Sequence, residues 1–277
     1  MGWTLGVAAR FPEPRGESIG LEVAVLGAAP QAALEGGLDP GPLTAIKLAT
    51  YNPRTVDRSM SFIFEQVRTG GDRNFGYLLG DREAKRGVLI DPSYAPEGLA
   101  QRAVDQGLTV THIINTHGHP DHINGNPTAC ALTGAPVAAF TESTLIDPNV
   151  GLADGDELSV GSLRLQFLHV PGHCPDHLVI FEPSWGILIS GDLLFVGKVG
   201  GTKSDEDART EWTSLQRLLD RLPDAATVWP GHDYGARPSS TMAIERATNP
   251  FLRCESLSAF LELKANWATV KRELGLK

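Results

Sequence analysis

The segment THGHPDH, Thr116 to His122, gathers three histidines and an aspartate within six positions directly after a β-like run. Imidazole and carboxylate are the hard-to-borderline donors that zinc and iron accept. Alternate residues on an extended segment put His117 and His119 on one side, with Asp121 and His122 turned toward a neighbouring position. The same grammar recurs further on: PGHCPDH places His173 after LRLQFLHV, LISGD places Asp192 after ILIS, and VWPGHDYG places His232 after TVW. Each candidate follows a strand, where α/β folds usually hold ligands, and neighbouring Pro and Gly fix tight turns that let the side chains converge. Seven donors result, His117, His119, Asp121, His122, His173, Asp192 and His232. That number suits two metal ions, with three histidines on one, Asp121 and two histidines on the other, and a carboxylate shared between them.

Elements able to position these residues are legible from Ser61 onward. FIFEQVR, FGYLLGD, GVLIDP, THIINTH, PVAAF, ELSV, SLRLQFLHV, HLVIF and GILISGDLLF read as β-runs divided by Gly and Asp turns. Helices are predicted over about 96–106, over about 208–222 from the recurrence of Trp212, Leu215, Leu218 and Leu219, and over about 257–274. Strands interleaved with helices, without a GxGxxG or GxxxxGK[ST] loop, give a layered α/β architecture lacking a nucleotide fingerprint. Residues 1–59, rich in Gly, Ala and Pro, show no sustained period and read as a loosely packed or poorly ordered extension; residues 60–277 read as the catalytic domain. A chain beginning at Met60 is therefore expected to fold and to keep its activity, and its aggregation would show that the extension belongs to the core.

Composition narrows the partners. The 277 residues carry a formal net charge of −9, against the basic face that phosphate neutralisation needs, so no nucleic-acid partner is expected. No run approaches the roughly 18 apolar residues that span a bilayer, which predicts no membrane association. Cys130, Cys174 and Cys254 match neither a disulfide framework nor a CxxC clip; reduced thiols and a cytoplasmic location fit them best.

HxHxDH followed by separate His, Asp and His residues resembles the signature of the metallo-β-lactamase superfamily, over about Ser61 to the C-terminus. The resemblance implies a four-layer αβ/βα sandwich with the site at the edge between two sheets. It also implies that His117, His119 and His173 bind one metal, that Asp121, His122 and His232 bind a second, and that Asp192 bridges them. Zinc is the expected divalent ion, with hydroxide held between the two metals as nucleophile and Asp121 also orienting it. Within the superfamily, FGYLLGDREAKRGVLIDP, SGDLLF and PGHDYG are similar to both glyoxalase II and the persulfide dioxygenases, and ERATNPFL is similar to the latter. The first reading is a hydrolase of a thioester, such as a glutathione conjugate. The alternative is a dioxygenase of glutathione persulfide that holds one Fe(II) at the positions of His117, His173 and Asp192.

Two further features bear on the substrate. Both relatives have a basic residue after GDxLF in a segment that contacts glutathione, whereas this chain reads GDLLFVGKVGGT, with Gly201 at that position and Lys198 and Lys203 nearby. Tyr234 matches a position that contacts the glutathione backbone in glyoxalase II; alternatively it is a core tyrosine with a satisfied hydroxyl. Tyr234 and Lys198 are the expected substrate contacts. His112, His169 and His177 match no ligand position and read as structural, with His177 also able to orient a ligand. Cys174 beside His173 should point away from it, since neighbours on an extended chain diverge. The Asp205 to Asp207 run reads as a solvated loop leading to a helix cap. Relatives of this kind often dimerise, and a homodimer is expected.

Overall fold

The structure, a computed structural model, describes residues 61–273. The extension expected over residues 1–59 lies outside them. Strands β1 (Phe62–Gly70), β2 (Asn74–Asp81), β3 (Arg86–Ile90), β4 (Thr109–Ile114), β5 (Val137–Phe140) and β6 (Val150–Leu152) form one sheet in that order, antiparallel through β3 and parallel thereafter. The parallel pairs require crossovers. Helix α1 (Pro96–Asp105) supplies the crossover from β3 to β4, and the short α2 (Pro120–Ile123) and α3 (Asn126–Thr133) lie between β4 and β5.

The second sheet is built from β7 (Glu157–Val160), β8 (Leu163–His169), β9 (Leu178–Glu182) and β10 (Ile187–Gly191), and is completed by later strands. After β10 come a two-stranded hairpin, β11 (Leu194–Phe195) and β12 (Lys198–Val199), and helix α4 (Asp205–Arg221). Strands β13 (Thr227–Pro230) and β14 (Ser240–Thr241) then extend the sheet beyond β10, giving the order β14-β13-β10-β9-β8-β7. Helices α5 (Met242–Thr248) and α6 (Leu257–Glu273) end the described chain.

Alternation along the strands explains the layers. In β2, Phe75, Tyr77 and Leu79 face a core shared with Leu165, Phe167 and Ile180 of the second sheet, while Leu78 faces the opposite way, toward Leu99 of α1 and Ala129 of α3. The outer face of the second sheet, with Val179, Leu188 and Val228, packs on Leu215 and Leu218 of α4, Met242 of α5 and Phe260 of α6. Each sheet is thus apolar on both faces, and the expected αβ/βα four-layer sandwich results.

Two expectations shift locally. The run GILISGDLLF is not one strand, because Gly191 turns into the left-handed region (φ 50°) and separates β10 from β11. Asp205 to Asp207 form the first turn of α4 and not a loop before it. Ser204 caps that helix by accepting from the Asp207 amide at 3.1 Å, and acids are favoured at a helix N-terminus.

Candidate metal centre

All seven donors predicted from the sequence meet at one edge of the sandwich. His117, His119, Asp121 and His122 follow β4, His173 follows β8, Asp192 follows β10, and His232 follows β13. His119 Nδ1 lies 3.0 Å from His117 Nε2 and 3.0 Å from His173 Nε2. In the second group, His122 Nε2 and His232 Nε2 are 3.2 Å apart, and Asp121 Oδ2 is 3.7 and 3.4 Å from them. Asp192 stands between the groups: Oδ2 is 3.6 Å from His173 Nε2 and 3.2 Å from His232 Nε2, and Oδ1 is 3.5 Å from His122 Nε2.

These spacings fit a cation. Bonds of about 2.1 Å hold neighbouring donors about 3.0 to 3.4 Å apart around one ion. The ring nitrogens facing away from the centre are occupied: His122 Nδ1 by Asp91 Oδ2 at 3.0 Å, His173 Nδ1 by the Gly201 carbonyl at 2.7 Å, and His232 Nδ1 by the Asp72 carbonyl at 2.9 Å. Protons held on those nitrogens leave the Nε2 lone pairs aimed inward, the arrangement that metal-binding histidines use. Asp192 Oδ1 is buried without a hydrogen-bond partner, although a carboxylate oxygen is a strong acceptor.

Electrostatics agree. Burial, followed by the neighbouring His122 and His177, holds His117 far below the usual imidazole range; burial and then His173 lower His119. At His122 and His232 burial also opposes protonation, but Asp192 outweighs it and raises both, with Asp91 adding to the effect at His122. Asp192 is likewise disfavoured as an anion by burial, yet His122 and His232 hold it well below the carboxylate range. Bound divalent cations would replace the protons for which these groups compete.

Several positioning residues were not singled out in the sequence. Asp91 follows β3 at φ 45° and accepts from the Thr116 amide at 2.9 Å, the Thr116 hydroxyl at 2.6 Å and His122. It therefore fixes both the start of the histidine segment and one of its rings. Asn74 donates to Asp121 Oδ2 at 2.9 Å and pairs with His232 through an isolated β-bridge. Asp176 accepts from the Gly118 amide at 3.3 Å and from the Ser143 hydroxyl at 2.6 Å. The Asp-Pro turn at Asp91 was a visible signal; nothing local marks Asn74 or Asp176.

The other histidines divide as expected. His177 is fully buried, its ring stacks on His117 at 4.9 Å, and its Nε2 accepts from the Asp192 amide at 3.0 Å, so it orients a donor without joining the set. His112 bonds Thr111, and His169 stacks flat on Phe140 at 3.9 Å while its Nε2 bonds the Pro175 carbonyl; neither reaches the centre. Cys174 is buried, belongs to none of the donor groups, and its thiol is pushed up to about 12 by burial. Tyr234 stacks on His232 at 4.6 Å and donates to Asp72 Oδ2 at 2.6 Å, so its hydroxyl is satisfied. The Lys198 ammonium sits 4.0 Å over the Tyr234 ring, a cation–π contact at the rim.

Comparison with known proteins agrees with this geometry. Residues 69–232 match the metallo-beta-lactamase superfamily. A hydroxyacylglutathione hydrolase of a Polaromonas species is 34% identical over 177 residues, which cover 62% of this chain and 67% of that protein. The mitochondrial persulfide dioxygenase ETHE1 of Homo sapiens is 31% identical over 195 residues, covering 69% of this chain and 76% of that protein. The crystal structure of ETHE1 from Myxococcus xanthus superposes with a TM-score of 0.68 at 33% identity, covering 74% of this chain and 91% of that one. The match begins at the end of β1 and closes on His232, enclosing every donor, and on that ground the chain belongs to the metallo-beta-lactamase superfamily of metal-dependent enzymes.

Proposed function

We propose that the protein is a metallo-hydrolase that cleaves a small thioester, with His117, His119 and His173 holding one divalent ion, Asp121, His122 and His232 a second, and Asp192 between them. The observation that carries this reading is the convergence of two donor triads on either side of Asp192, the atoms of each close enough together to surround one cation. When bound, a pair of such cations, zinc on this reading, supplies Lewis acidity and brings the pKa of a shared water toward neutrality. Asp121 is the more open of the two donor carboxylates, 34% exposed, and is aimed by Asn74, so it can both hold metal and orient the attacking water. Water adds to the thioester carbonyl carbon, the C–S bond breaks, and the proton released from the water passes to the departing thiolate.

The carrier end of the substrate has a place beside the centre. A cavity of about 390 Å³ runs between the Lys198–Asp205 segment and α6, with Lys198 and Lys203 on one side and Phe251 and Trp267 on the other. Tyr234 and Lys198 form the rim next to His232, and we assign them to substrate binding by ring face and charge. An anionic thiol carrier such as glutathione suits this lining.

Zinc-loaded protein is therefore expected to cleave S-lactoylglutathione or another small thioester without iron. The relatives also include persulfide dioxygenases, and the subset His117, His173 and Asp192 provides the two-histidine, one-carboxylate face that suits Fe(II). Parallel assays with thioesters, lactones and glutathione persulfide on zinc-loaded and iron-loaded protein separate the two. One iron per chain with oxygen uptake on the persulfide, and no thioester cleavage, would defeat the hydrolase.

A further inference from the structure

Behind the donor set lies an ion pair that the metal triads do not explain, and its lysine also lines the carrier cavity. Glu211 of α4 is fully buried and pairs with Lys264 of α6, itself nearly buried. The second Glu211 oxygen, Oε1, has no hydrogen-bond partner, and burial pushes the carboxyl up to about 7 even with Lys264 beside it. The surrounding α4–α6 contact is apolar, with Trp212 and Phe260 rings 5.2 Å apart. An apolar pair would join these helices as well or better, since burying two charges often costs as much as their attraction returns.

What the charges add is reach into the loop beside the site. Lys264 Nζ donates to the Gly200 carbonyl at 2.9 Å, and the next carbonyl, Gly201 O, bonds His173 Nδ1 at 2.7 Å. Gly200 is wedged in place: a Cβ there would lie 2.1 Å from the Asp192 carbonyl oxygen, 3.0 Å from His173 Nδ1 and 3.1 Å from Glu211 Oε1. On the other side of His173, a Cβ on Gly172 would lie 2.4 Å from the Glu211 Cα. Helix α4 and the Lys264 ammonium thus brace both backbone segments on which His173 depends.

We infer that Glu211 and Lys264 are positioning residues for the first donor triad. Glu211 holds the Lys264 ammonium on the Gly200 carbonyl, and the braced loop presents Gly201 O to His173, keeping the proton on Nδ1 and the Nε2 lone pair toward His119. The inference rests on the reading of His173 as a metal ligand. A staple that only joins helices would have none of these consequences at the imidazole.

Lys264→Met keeps the stem and removes the ammonium; Glu211→Leu with Lys264→Met replaces the whole pair by apolar groups and protects folding. Both are expected to lower affinity for one zinc ion, that of the first triad, by roughly 10- to 100-fold in competition with a chromophoric chelator, the usual size of an outer hydrogen-bond loss. Lys264→Arg should recover part of it. In the metal-free protein, long-range ¹H–¹⁵N spectra should show His173 losing its fixed Nδ1–H tautomer in the first two variants. A folded double variant with unchanged zinc affinity and an unchanged His173 tautomer would overturn the inference. If the parent protein bound no zinc, the proposed hydrolase would fall, while the imidazole spectra would still decide whether the pair positions His173.

Discussion

Alanine in place of His117 or Asp192 is expected to reduce turnover to background while the protein stays folded. The loss should exceed the roughly 10- to 100-fold that outer hydrogen-bond partners of metal ligands are worth. Asp192 contacts both triads at 3.2 to 3.6 Å, so its removal separates them, and His117 is one of three nitrogens in the first. Folding should tolerate both changes because the apolar cores lie elsewhere, between the sheets and beneath the helices. Metal-free, the centre crowds five imidazoles against two carboxylates, and deleting one member relieves part of that crowding. The check combines turnover, metal content and a thermal melt for each variant. Activity retained in both would refute the site.

The donors were legible in the sequence because each segment carries its own local mark: ligand-type side chains after an apolar strand run, with Gly or Pro among them. The layers were legible for a similar reason, since two-sided apolar runs such as Phe75–Leu79 require a cover on each face. The residues that aim the donors lack such marks. Asp91 reaches His122 only because β3 and β4 pair in parallel, and Asn74 reaches Asp121 only because the second sheet brings His232 against β2. Glu211 sits in a helix read from Trp212, Leu215, Leu218 and Leu219, where one acid on the buried side does not alter the period. Helices α2, α3 and α5 escaped for another reason, each being shorter than the window of about 11 residues in which an amphipathic period can be read. His177 stood between the two groups: its type was conspicuous, but its bond to the Asp192 amide depends on the turn at Gly191.

Adjacent glycines in the KVGGT segment should respond oppositely to substitution. Gly201→Arg is expected to lower the KM for S-lactoylglutathione by roughly 10- to 100-fold with little change in kcat. A hydrogen bond to a charged group is worth about 1.5 to 3 kcal/mol, and a contact made equally in the ground and transition states appears in KM alone. The position admits the side chain: a Cβ there meets nothing within 4 Å, the backbone is not left-handed, and Gly201 contributes to His173 only its carbonyl. At Gly200 even one methyl group is too many. Its Cβ would stand 2.1 Å from the Asp192 carbonyl oxygen, a backbone atom that cannot swing aside as a side chain would. Overpacking of this kind costs about 1 to 3 kcal/mol, and the atoms forced to move belong to Asp192 and His173. Gly200→Ala should therefore lower both the melting temperature and kcat, in contrast to its neighbour. Steady-state kinetics and thermal melts on the two variants test this directly. An unchanged KM in Gly201→Arg would remove the glutathione carrier from the rim beside His173, whereas a Gly200→Ala protein equal to its parent in both measurements would show that the Asp192 backbone is free to move.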